Sequence, residues 1–74
     1  MFIMNQTKTI KEIRYLCRIN GLSFRKSITT FNNKPFYYFI NRETGAVVLS
    51  NMTLSSALDN AEKINEIINN ETKN

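Results

Sequence analysis

The chain has 74 residues, 42% of them apolar, one cysteine, no histidine and a net charge of +4. That leaves room for one domain with a small core, excludes an internal disulfide, and removes the commonest general base and metal ligand. The charge is split along the chain. Residues 1–42 carry eight of the ten cations (Lys8, Lys11, Arg14, Arg18, Arg25, Lys26, Lys34, Arg42) against Glu12 alone. Residues 43–74 carry Glu43, Asp59, Glu62, Glu66 and Glu71 against Lys63 and Lys73. A surface polarised this way draws an anionic partner to one side and repels it from the other.

In chain order, residues 1–6 are expected to form a loose arm. Its Met1–Met4 stretch is too short for the apolar core of a signal peptide, and no apolar run approaches membrane length, which reads as a cytoplasmic chain. Thr9 and Glu12 fit a capping box that opens a helix. Ile10, Ile13, Leu16 and Cys17 then recur at helical spacing, with Lys11, Arg14, Arg18 and Tyr15 on the other side. Asn20-Gly21 ends the helix, Gly21 taking the left-handed conformation there. Cys17, late in that helix, reads as a small buried apolar residue.

Residues 22–31 read as a strand with Leu22, Phe24 and Ile28 on one parity, and residues 32–35 as a turn. Residues 36–41 give the strongest strand signal, five aromatic or β-branched side chains in a row. Residues 42–45 close a hairpin with a positive φ at Gly45, and residues 46–50 form a third strand. Pairing Asn41 with Ala46 predicts that Phe36, Tyr38, Ile40, Val47 and Leu49 face the core. Tyr37, Phe39, Val48 and Ser50 are then on an open face, joined by Arg25. A second helix follows, capped by Asn51 or Thr53. It carries an apolar stripe of Leu54, Ala57, Leu58, Ala61, Ile64, Asn65 and Ile68, with Asp59, Glu62, Lys63 and Glu66 in water. Residues 70–74 are expected to fray. The fold class is therefore α+β: one domain over residues 1–74, ordered α-β-β-β-α, with a three-stranded antiparallel sheet and both helices on one face.

Catalysis has little to work with. A lone cysteine without histidine excludes a Cys/His dyad, Gly21 and Gly45 make no glycine-rich phosphate loop, and Ser55 and Ser56 have no partner base. Asp59, Glu62 and Glu66 share a helix face, which reads as solvated. The expectation is a non-enzymatic binding protein with no cofactor and no metal.

The element order resembles the double-stranded RNA-binding domain. That resemblance implies contacts from the first helix (Lys11, Arg14, Tyr15, Arg18) and from the loop of Asn32, Asn33 and Lys34. The family's third contact, lysines opening the last helix, has no counterpart in residues 52–56. The order, with Lys11, Glu12, Ile13, Asn20 and Gly21, also resembles HicA-type toxins. Their histidine is missing here, so their ribonuclease activity does not carry over. Residues 38–48, with 50–54, are similar to small phage and prophage accessory proteins, among which anti-CRISPR proteins are of this size. Asparagine and isoleucine, used eleven and nine times, suit an AT-rich source of that kind.

Three readings are open. One is a phage-encoded inhibitor of a host protein or nucleoprotein machine such as a CRISPR effector. It would make contact through Lys11, Arg14, Arg18, Arg25, Tyr37 and Phe39, or through Asp59, Glu62 and Glu66. The second is an RNA- or DNA-binding protein using Lys11, Arg14, Arg18 and Lys34. The third is a homodimeric accessory protein.

Overall fold

A computed structural model describes the backbone of residues 6–31 and 34–72 and the side chains of residues 6–27 and 35–70. The elements are α1 (Gln6–Ile19), β1 (Leu22–Phe31), β2 (Lys34–Asn41), β3 (Val47–Met52) and α2 (Leu54–Thr72). The sheet is antiparallel in the order β1-β2-β3, with α1 against β1 and α2, and α2 against β2 and β3. This is the α+β, α-β-β-β-α arrangement the sequence predicts.

Three local devices set the chain's path. After α1, Gly21 adopts φ +74° and its amide bonds the Arg18 carbonyl at 3.3 Å, ending the helix. In the β2–β3 hairpin, the Asn41 amide bonds the Ala46 carbonyl at 2.8 Å and Gly45 takes φ +77°. The Asn41 side-chain oxygen accepts from the amides of Glu43 (2.8 Å) and Thr44 (3.2 Å), pinning the loop. Thr53 caps α2: its hydroxyl oxygen accepts from the Ser56 amide at 3.2 Å. Asn51, the other candidate cap, has φ +57° within β3 instead.

Four expectations need correction. First, α1 starts at Gln6, so Thr9 lies inside the helix and is buried with Ile13 and Cys17 at four-residue spacing rather than forming a capping box. Second, Gln6 belongs to α1 and not to an arm; residues 1–5 lie outside the described residues. Third, α2 remains helical through Thr72, while residues 73–74 lie outside the described residues.

The fourth concerns the sheet's faces. Phe39 is fully buried and Tyr37 points the same way, stacked on Phe24 with ring centroids 5.0 Å apart. Phe36, Tyr38 and Ile40 are on the opposite, open side with exposed Val47. The cause is register. Leu22 leaves α1 directly into the core, which turns Leu22 and Phe24 toward the helices. Antiparallel partners share a face, and Phe24 pairs with Phe39, so Phe39 goes inward with it. Two irregularities in β3 complete the inversion. Ile40 pairs with Val47 but Phe39 with Leu49, and Tyr37 pairs with Met52. Each step adds one residue to β3, so Leu49 and Met52 both reach the core despite opposite parity.

The core is Ile13, Cys17, Leu22, Phe39, Met52, Ala57 and Ala61, flanked by Leu16, Phe24, Leu49, Leu54, Leu58 and Ile64. Ala57 and Ala61 let α2 approach the sheet closely around the Phe39 ring. At the far end Asn20 ties the helices together: its side-chain amide donates to the Leu16 carbonyl (2.8 Å) and to Asn65 Oδ1 (3.1 Å).

Burial pushes the Cys17 thiol up to about 11 from an ordinary 9.0. Folding therefore holds it protonated while the unfolded chain ionises above pH 9.0. Stability from this group is complete below that pH and falls as pH rises toward 11, by roughly 2 kcal/mol. Thermal melts of Cys17→Ala against the parent at pH 8 and pH 10.5 should show the parent losing more. An aromatic disulfide reagent at pH 8 should label Cys17 only when the chain is unfolded.

Candidate functional site

An open trough of about 670 Å³ runs along the seam of α1 and β1. Lys11, Arg14, Tyr15 and Arg18 form its α1 wall, Leu22, Ser23, Phe24 and Arg25 its β1 wall, and Arg42 also lines it. The helical wall follows from spacing. Lys11, Arg14, Tyr15 and Arg18 lie three and four residues apart, so they share one side of α1 while Ile13 and Cys17 turn inward. Lys11 to Arg18 spans about 10 Å of helix axis. Arg42 arrives by backbone geometry, because its amide bonds the Gly21 carbonyl at 3.0 Å and brings the hairpin loop beside the end of α1.

Five cations line this trough and no carboxylate does. All five are exposed, so the wall is a row of hydrated positive charges over a partly apolar floor. Tyr15 stands among them at 55% exposure. Such a surface can hold a run of anionic groups and can pack a flat apolar body between them. Among the described residues, no group of three or more histidine, cysteine, aspartate or glutamate side chains converges to hold a metal. No helix is long and apolar enough to cross a membrane.

Lys11, Arg14, Arg18 and Arg25 are thus brought together in one site. Phe39 is in the core and offers no contact; Tyr37 is half-buried in a separate hollow with Gln6, Lys26, Pro35, Thr53 and Leu54. Asp59, Glu62 and Glu66 are exposed on α2, apart from the trough. The side chain of Lys34, with Asn32 and Asn33, lies outside the described residues. Sequence reasoning missed Arg42, which is 21 residues from its backbone partner, and the Leu22–Phe24 floor, which depends on the seam between α1 and β1. The chain matches no family model, no curated protein and no solved structure.

Proposed function

We propose that this protein is a non-enzymatic binding module that takes the phosphate backbone of a nucleic acid along the α1–β1 trough. The observation that carries the reading is the lining of that trough by Lys11, Arg14, Arg18, Arg25 and Arg42 with no carboxylate among them. Along one strand of B-form DNA the charges are about 3.4 Å apart, so the helical wall alone faces roughly three phosphates. Binding of this kind releases counterions, and five contacts give a slope of log affinity against log salt of about −3.5 on a single strand and −4.5 on a duplex.

The test is fluorescence anisotropy with labelled 12-nucleotide RNA and DNA between 50 and 200 mM salt. Affinity should fall about 100- to 500-fold over that range. A slope shallower than about −1, or no binding to any oligonucleotide at 50 mM, removes the reading.

The inhibitor reading retains one support, the exposed carboxylates Asp59, Glu62 and Glu66 on α2. In it the protein is a phage accessory factor whose acidic helix occupies a basic channel of a host nucleoprotein machine. A host protein retained from lysate after nuclease treatment, and lost on Glu62→Lys with Glu66→Lys, would favour it over direct nucleic-acid binding.

A further inference from the structure

We infer that the nucleic acid held in the trough is single-stranded and that Tyr15 is the platform on which one of its bases stacks. The inference rests on the reading of the trough as a phosphate-binding surface and adds which form of nucleic acid it takes.

Two features of the trough carry it. The first is Tyr15 itself. Its ring is 55% exposed and stands in the trough lining with Lys11, Arg14 and Arg18, so a flat face is open to a ligand held by those cations. The trough is also not uniformly polar, since Leu22 and Phe24 contribute to its floor. A single strand offers both complementary chemistries at once: phosphates for the cations, and unstacked bases for the ring and the floor. A duplex keeps its base faces stacked inside and offers Tyr15 little but sugar and phosphate.

The second is the shape of the charge. Lys11, Arg14 and Arg18 share one side of α1, and Arg25 and Arg42 line the same trough. Recognition of a duplex by shape needs contacts spread over successive grooves and the phosphates between them. The start of α2 supplies none: Thr53, Leu54, Ser55 and Ser56 carry no charge, and the acids Asp59, Glu62 and Glu66 follow. A charged trough with an aromatic ring in it, and no cation at the start of α2, matches one strand.

The experiment compares three probes at equal salt: a labelled 12-mer of uridine, a 12-base-pair duplex, and heparin as a polyanion without bases. The parent protein should bind the single strand at least 5-fold more tightly than the duplex. Tyr15→Ala should lower single-strand affinity about 5- to 100-fold while leaving the salt slope and heparin affinity unchanged. Tyr15→Phe should restore it. With no tryptophan in the chain, tyrosine emission is directly readable, and single-strand binding should quench a component that Tyr15→Phe lacks. Tyr15 is exposed, so circular dichroism of both variants should match the parent. Tighter binding of the duplex, or undiminished single-strand binding by Tyr15→Ala, overturns the inference and leaves the phosphate reading standing. Failure of all three probes to bind overturns both.

Discussion

Phe39→Ala is expected to cost about 3–5 kcal/mol, the range for truncating a fully buried aromatic ring. Phe39 is 0% exposed and lies where the sheet meets both alanines of α2, Ala57 and Ala61, also buried. It also meets Phe24 edge-on, with ring centroids 6.0 Å apart. Removing the ring opens a void between a sheet and a helix held close together by small side chains, so collapse can fill little of it. A domain of this length has a total stability of only about 4–11 kcal/mol. The variant should therefore melt on the order of 20 °C lower, or be unfolded at 37 °C. Its neighbour Tyr38 is half-buried on the open face, and Tyr38→Ala should cost roughly 1 kcal/mol. Paired thermal melts read both. If Tyr38→Ala proved the more damaging, the sheet would face the other way.

That contrast marks where the sequence stops being legible. Elements with local causes can be read from it directly. Gly21 and Gly45 announce positive φ, Thr53 announces a cap, and the spacing of Ala57, Ala61 and Ile64 announces the buried side of α2. The orientation of the sheet has no local cause. In the run Phe36-Tyr37-Tyr38-Phe39-Ile40 both parities are apolar, so composition cannot choose between them. The choice is made elsewhere, by Leu22 entering the core straight from α1 and passing its facing across the strand pair to Phe39. Of the two irregularities in β3, the one at Val48 has no local signal, whereas Asn51 is of a type that tolerates the positive φ it adopts. The candidate site divides the same way. The Lys11, Arg14, Arg18 row follows from helical spacing, whereas Arg42 joins it only because a hairpin loop bonds back to Gly21.

The same division explains why the charge asymmetry survives folding. α1 packs against β1, and five of the eight cations of the basic front, Lys11, Arg14, Arg18, Arg25 and Arg42, gather on that seam. Asp59, Glu62 and Glu66 of the second half sit on the water-facing side of α2, away from it. No side-chain detail is needed to keep the two apart, because the core stripes of the helices fix which way each charged face turns. A polyanion approaching the molecule is drawn to the trough and repelled by α2, which favours one binding orientation before any contact forms.

Arg14→Glu combined with Arg18→Glu is therefore expected to reduce nucleic-acid affinity by about 100-fold or more at 50 mM salt. Each reversal removes an attraction worth about 1 kcal/mol between hydrated charges 4 Å apart and adds a repulsion of similar size. Three of the five trough cations remain, so the single-strand salt slope should fall from about −3.5 to about −2. The fold should be indifferent, because both arginines are exposed and neither touches the core; circular dichroism and the melting midpoint check this. A matched reversal on α2, Glu62→Lys with Glu66→Lys, changes charge in the opposite direction at a distance from the trough. It should leave the slope unchanged and strengthen binding only slightly, by relief of long-range repulsion that salt screens within about 10 Å. Equal loss from both pairs would mean that fold damage, and not the trough, governs binding. Retention of full affinity by the Arg14 and Arg18 double variant would mean that the polyanion is held elsewhere.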